Sequence, residues 1–328
     1  ALAYGKAIAG KTAVFDFGGG TLDISLLEID HQEARVRCVG GDSKLGGLDF
    51  TRIVYGMLKE RLHGTYSGNP DARLLECAEE LKIGLSSSAE GRASLSGETI
   101  IVSRAEFEKR SASLIARAEA ITLETLKKAG WSPGDVGTLI LAGGSARIPG
   151  LSARISRLFA DAKIHRRSPS EIVALGAAQA AQPADGRRNG YLEVLPYTLG
   201  LEIDGGRALQ LMERNTPLPC SLRRTFTTLA DKQTSVEIHV IQGSYLKADQ
   251  NSSLGRFMLS GIRPAPRGVP QIEVDFTVDA DGLLSVRAKD RQSGVSERIV
   301  IPRITESRGD TSSGSRHLRR LIGELQGL

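Results

Sequence analysis

The chain has 328 residues and only three cysteines. Cys38, Cys77 and Cys220 lie far apart and form no CxxC pair. They cannot build a disulfide framework, which points to a reducing compartment and a cytoplasmic location. Aromatic residues make up 5% of the chain, and the arginines are scattered rather than clustered. The net charge of +5 therefore reads as solvated surface, not as a nucleic-acid footprint. No apolar run is long enough to span a bilayer, so no membrane partner is expected. A signal-peptide pattern is lacking, as is an initial Met. The chain opens at Ala1-Leu2-Ala3-Tyr4-Gly5 as if within a helix, and a missing N-terminal part is the expectation.

What is present is ordinary globular composition, 40% hydrophobic and 25% charged, at a length that suits two domains. Up to residue 182, helical and strand patterns alternate. Asp16-Phe17-Gly18-Gly19-Gly20-Thr21-Leu22-Asp23 sits between an apolar run, Ala13 to Phe15, and an alternating one, Leu22 to Ile29. That order predicts strand, glycine turn, strand. Three glycines let backbone N–H groups approach an anion, and Thr21 adds a hydroxyl. Asp16 and Asp23 suit Mg²⁺ or its bound waters. Alone, the same stretch is equally a tight turn.

Ser103-Arg104-Ala105-Glu106 is a capping box for a long helix ending near Gly130. Val136 to Ala142 reads as a buried strand, followed by Gly143-Gly144 and a helix from Pro149. Ser170 suits the cap of an Ala-rich helix, Glu171 to Ala181. Gly46 and Gly47 open another helix, whose N–H groups suit an anion or a sugar. Glu79, Lys82 and Ser86 form one polar stripe on a helix, for which a solvated face is the plainer explanation. Gly143, Gly144, Ser145 and Arg147 join strand to helix where backbone can approach a ligand and an Arg can stack on a base.

Residues 183–191 are polar and rich in Pro, Gly and Arg, as a linker is. Beyond them helical signals vanish. Ser235 to Val240 alternates, as does Ile272 to Val278, and Asp279-Ala280-Asp281-Gly282 turns into Leu284, Val286 and Ala288. Residues 192–303 therefore read as an antiparallel β-sandwich. Residues 304–328 read as a polar tail, with Leu318, Leu321, Ile322 and Leu325 on one face of a short amphipathic helix.

Taken together these motifs resemble the DnaK-type seventy-kilodalton heat-shock chaperones. VFDFGGGTLDIS, KLGGLDF, AEELKIGLSSS, LILAGGSARIPGL and PSEIVALGAAQAA resemble the second lobe of that family's ATPase domain. LEVLPYTLGLE, RNTPLPC, FTTLADKQTSVEIHVIQG, SLGRF, GIRPAPRGVPQIEVDFTVDADGLL and AKD resemble its β-sandwich peptide-binding domain. The similarity runs from residue 1 to about residue 301 in one register, with a lean toward the HscA-like branch in GGDSKLGG and LLSV. The resemblance implies an actin-like, ribonuclease-H-like α/β half ATPase domain over 1–182, ahead of the sandwich. It implies ATP or ADP with Mg²⁺ as cofactors, an ATP-dependent folding and stress-response role, and extended apolar polypeptides as clients. J-domain co-chaperones and a nucleotide-exchange factor are the implied partners.

Residue by residue, the resemblance gives Asp16, Gly18, Gly19, Gly20, Thr21 and Asp23 to phosphates and metal, with Asp16, Thr21 and Asp23 catalytic. It gives Gly46 and Gly47 to the nucleotide face. Glu79, Lys82 and Ser86 would hold ribose and adenine, and Gly143, Gly144, Ser145 and Arg147 would close over the base. In the sandwich, Leu201, Phe226, Val236 and Ile238 would line an apolar peptide pocket, with Asp204 and Leu229 beside it. Alternation by itself makes those pocket residues ordinary core. Three departures stand out: Ser170 where the family usually has Asp, Asn189 to Glu193 in place of an apolar linker, and Asp204 where a Met commonly arches over the peptide. The family's first ATPase lobe and helical lid have no counterpart in the sequence, so this chain alone is expected to be inactive as an ATPase. The rival expectations are a passive peptide-binding module with a vestigial nucleotide lobe, and a sugar kinase with a similar glycine hairpin.

Overall fold

The structure, a computed structural model, describes residues 8–30, 33–62, 70–95, 98–166, 171–180 and 190–301. The chain divides into two compact units, the second beginning at Leu192. Ser170, residues 183–189 of the expected linker and the expected C-terminal helix lie outside the described residues. Gly190 and Tyr191, read as linker from sequence, belong to a short strand.

In the first unit, β1 (Gly10–Phe17) and β2 (Leu22–Ile29) form a hairpin, and β3 (Glu33–Asp42) continues it antiparallel. Next come α1 (Gly47–Arg61), α2 (Pro70–Gly84), and the small hairpin β4 (Glu90–Leu95) and β5 (Glu98–Ser103). The long helix α3 (Arg104–Lys128) is followed by β6 (Thr138–Ala142), α4 (Pro149–Leu158), β7 (Lys163–His165), α5 (Ile172–Ala180) and β8 (Gly190–Leu192). The mixed six-stranded sheet runs β7-β6-β1-β2-β3-β8, with β6 parallel to β1 and β7 parallel to β6.

Local chemistry sets several of these ends. Ser103 Oγ accepts a bond from the Glu106 N–H at 3.2 Å, so the capping box starts α3 where its sequence places it. Pro149 occupies the first turn of α4. β6 begins at Thr138 rather than at Val136, because a 3-10 turn over Pro133–Asp135 draws the Val136 N–H to the Pro133 carbonyl at 3.2 Å. The few aromatics are concentrated in the core. Phe15, Phe17, Phe50 and Phe107 form a run of rings with centroids 5.9, 5.9 and 6.2 Å apart, joining β1 to α1 and α3. All four are buried, and they fix the base of the β1–β2 turn against the start of α1.

The second unit holds β9 (Leu199–Ile203), β10 (Arg207–Met212), β11 (Cys220–Phe226), β12 (Ser235–Gln242), β13 (Ser252–Ser260), β14 (Ile272–Val278), β15 (Leu284–Asp290) and β16 (Ser296–Ile301). They make two four-stranded antiparallel sheets, β10-β9-β12-β13 and β11-β14-β15-β16. Alternate residues of both sheets enter one core, among them Leu201, Val240, Val274, Phe276 and Val286. The Asp279 to Gly282 turn joins β14 to β15, with Asp279 Oδ1 accepting from the N–H groups of Asp281 and Leu283, both at 2.9 Å. On the face away from the core, His239 of β12 is held between Glu202 (2.5 Å) and Ser253 (2.8 Å), so its burial leaves no ring nitrogen without a partner.

Candidate functional site

The glycine turn between β1 and β2 is pinned to the start of α1. Gly47 N–H donates to the Gly18 carbonyl at 3.0 Å, and Leu48 N–H donates to the Gly19 carbonyl at 2.8 Å. Gly46 N–H is taken by Asp49 Oδ2 at 2.8 Å, and Asp49 N–H returns to the Gly46 carbonyl at 3.1 Å. The helix N-terminus expected to meet an anion therefore has those N–H groups occupied by protein. Gly46 and Gly47 serve close packing instead. A Cβ on Gly46 would stand 2.5 Å from Gly20 backbone, and one on Gly47 would stand 2.1 Å from Ser145 Oγ.

The turn itself keeps its donors. Gly18 N–H closes it onto the Thr21 carbonyl at 2.9 Å, whereas the N–H groups of Gly19 and Gly20 make no hydrogen bond among the described residues. A Cβ on Gly19 would meet nothing within 4 Å. Thr21 Oγ1 donates to Asp23 Oδ2 at 3.1 Å.

Asp16 and Asp23 are direct cross-strand partners at the top of the hairpin. Gly143 comes close enough that a Cβ on it would lie 2.7 Å from Asp16 Oδ1, and its φ of +79° favours glycine as well. Burial, and then the neighbouring Asp23 carboxylate, push the Asp16 carboxyl above its ordinary value of 3.8. The folded state thus holds the Asp16 proton more tightly than the unfolded chain does. That gain is complete below pH 3.8 and is lost as pH rises through the raised value. Asp16→Asn is accordingly expected to raise the urea midpoint at pH 7, with the gap closing near pH 3.5. An equal or lower midpoint at pH 7 would contradict this placement of Asp16.

Across the cleft, Lys82 of α2 is only 7% exposed. The plainer solvated-face explanation fails for it, because α2 packs against α1 and turns Lys82 inward. Its ammonium donates to Glu79 Oε2 (2.6 Å), Thr51 Oγ1 (3.0 Å) and the Gly47 carbonyl (3.2 Å). An ammonium has three donors, and all three are in use. Lys82 therefore positions Glu79 and Thr51 rather than offering a donor of its own. Thr51 was not legible from the sequence stripe. It also reaches Glu79 Oε2 at 2.5 Å and belongs to the same knot. Ser86 lies beyond the end of α2, with its hydroxyl 3.5 Å from the Lys82 carbonyl.

Gly144–Arg147 forms a single 3-10 turn after β6. Ser145 is buried and Arg147 exposed. Gly19, Glu79, Lys82, Ser86, Ser145 and Arg147 border one cleft of about 600 Å³, whose apolar side is made by Leu48, Ile83 and Ile148. The structure thus brings together residues from the hairpin, α1, α2 and the turn after β6.

The chain matches the family model described as Hsp70 protein over residues 1–315. It belongs to that family. Hsp70 proteins are heat-shock chaperones that bind ATP or ADP with Mg²⁺ on an actin-like fold, and they bind unfolded polypeptides and co-chaperones. The donor set fits such a ligand: free glycine N–H groups beside a cradle that a Cβ would fill, two carboxylates for a hydrated divalent ion, and an exposed Arg next to apolar side chains. No helix among the described residues is long and apolar enough to cross a membrane.

The residues assigned to a peptide pocket are less uniform. Leu201 and Ile238 are buried in the shared core, as the ordinary-core alternative has it. Phe226 and Val236 are half-buried and pack against that core. Asp204 is exposed on the turn between β9 and β10. Leu229 is 63% exposed on the connection between β11 and β12.

Proposed function

We propose that the chain supplies one wall of an ATP site and the β-sandwich substrate domain of a DnaK-type, ATP-dependent folding chaperone. The observation that carries the reading is the convergence of the glycine hairpin, the Lys82–Glu79–Thr51 knot and the Gly144–Arg147 turn on one cleft. In this reading the N–H groups of Gly19 and Gly20 and the Thr21 hydroxyl receive phosphate oxygens. Asp16 and Asp23 hold the waters of Mg²⁺. Glu79 accepts from the ribose hydroxyls in an orientation set by Lys82, and Arg147 covers the base against Ile83 and Ile148. Bound ATP supplies the phosphoanhydride bond whose cleavage drives the chaperone cycle. Catalysis of phosphoryl transfer rests on groups converging from several sides, so a second wall completes the site.

The two-sheet unit is read as the site for extended apolar polypeptides. Its accessible pocket members are Phe226 and Val236, whereas Leu201 and Ile238 are buried in the core. Burying one Leu side chain there contributes roughly 1.5–3 kcal/mol, and backbone hydrogen bonds add sequence-tolerant affinity. J-domain co-chaperones, a nucleotide-exchange factor and a cytoplasmic setting complete the proposal. Val236→Phe is expected to weaken binding of a labelled Leu-rich peptide by at least about tenfold, close to 1.4 kcal/mol. Fluorescence anisotropy reads the effect. An unchanged affinity with native circular dichroism would mean that the groove lies elsewhere.

A further inference from the structure

The outer face of the β11-β14-β15-β16 sheet carries a charge pattern that neither the nucleotide cleft nor the apolar pocket uses. Strand register places Arg223, Asp275, Arg287 and Arg298 in one row across the four strands. The next row along the strands is Thr225, Glu273, Lys289 and Ser296. Their neighbours in sequence, such as Val274, Phe276, Val286 and Ala288, are buried in the shared core, so both rows face away from it.

The two carboxylates on this face are already engaged. Asp275 pairs with Arg223, with Nη2 to Oδ2 at 3.3 Å. Glu273 pairs with Arg291 at 3.3 Å. The Arg287 side chain donates, among the described residues, only to the neutral Ser296 hydroxyl, at 3.1 Å. Among the described residues, Arg298 and Lys289 make no hydrogen bond or ion pair through their side chains. Arg287 and Arg298 stand directly opposite each other, an arrangement that destabilises an antiparallel pair. Beside them a trough of about 590 Å³ is lined by Arg223, Arg287, the Arg223-paired Asp275 and the serine and threonine residues Ser221, Thr277 and Ser285.

We infer that this face is a docking site for an extended acidic polypeptide segment, whose carboxylates neutralise Arg287, Arg298 and Lys289. A guanidinium binds a carboxylate through two parallel hydrogen bonds, and the flanking hydroxyls supply further donors. Arg287 and Lys289 are two residues apart on one strand, so their side chains leave the sheet roughly 7 Å apart. An extended peptide with acidic residues at alternate positions repeats at that same spacing. A single phosphate cannot span it. Neither row carries an aromatic side chain on which a base could stack.

The test uses the full 328-residue chain and a fluorescein-labelled peptide of alternating Glu and Ser, read by anisotropy. We expect binding that weakens as salt is raised and falls at least tenfold in the Arg287→Ser/Arg298→Ser double variant. That variant should melt no lower than the parent, because it removes a like-charge contact. Lys289→Ser, in a separate row, should lower affinity as well and serves if the double variant does not fold. A Gln-for-Glu version of the peptide should not bind, and an excess of unlabelled Leu-rich peptide should leave the signal unchanged. Absence of binding at low salt, equal affinity in both sets of variants, equal binding of the Gln peptide, or tighter binding of polyphosphate or single-stranded DNA would each overturn the inference.

Discussion

Gly46→Ala should destabilise the first unit by about 3 kcal/mol and weaken nucleotide binding with it. The new methyl group would meet Gly20 Cα and C at 2.5 Å and the Gly19 carbonyl oxygen at 2.6 Å. These neighbours are backbone and cannot rotate away. The hairpin and the start of α1 would have to separate, lengthening the bonds from Gly47 to Gly18 and from Leu48 to Gly19. Overpacking of this kind costs about 1–3 kcal/mol, and each lost hydrogen bond adds about 1 kcal/mol. For a domain of this size, a loss of about 3 kcal/mol lowers the melting temperature by roughly 6–12 °C. Gly46 has an extended backbone that any residue adopts, so the effect would be steric alone. Gly19→Ala is the matched control, since its Cβ would point into open space. Calorimetric melting of both variants checks the pair. Equal melting temperatures would contradict the tight contact between hairpin and helix.

A second large effect is expected at Lys82. Lys82→Met should remove the ammonium bonds to Glu79 Oε2, the Thr51 hydroxyl and the Gly47 carbonyl, leaving the Thr51 hydroxyl as a donor, at about 1–3 kcal/mol of stability. Its effect on ADP affinity should be at least about tenfold and should overlap with that of Glu79→Gln. A residue that acts by orienting another gives non-additive losses in a double-mutant cycle. Calorimetric affinities of the two single variants and the double variant measure the coupling. Strictly additive losses would mean that Lys82 meets the nucleotide itself.

The parts of the fold that depend on short stretches of chain were legible in the sequence. The Gly18 to Gly20 turn, the Ser103 cap, the Pro149 helix start and the Asp279 to Gly282 turn each depend on backbone preferences within about five residues. The parts that were not legible depend on distant contacts. Lys82 looks like a surface residue by helical spacing, and only its bonds to Gly47 and Thr51, 35 and 31 residues earlier, show that it is buried. Thr51 gave no signal for the same reason. The Gly46–Gly47 turn looked like an open helix N-terminus, because nothing local announces that Gly18 and Gly19 carbonyls take the Gly47 and Leu48 N–H groups. In the second unit, alternation located β12 and β14 but not which residues of one face are sealed in the core. Leu201 and Ile238 are sealed, whereas Phe226 and Val236 stay partly open.

Nucleotide binding by the cleft of the first unit is the central expectation. Isothermal titration of the 328-residue chain with ADP and Mg²⁺ measures it. Saturable binding is expected, weakening at least about tenfold, or 1.4 kcal/mol, in both Lys82→Met and Arg147→Ala. A folded chain that takes up no ADP, or one whose affinity is unchanged in both variants, would contradict it.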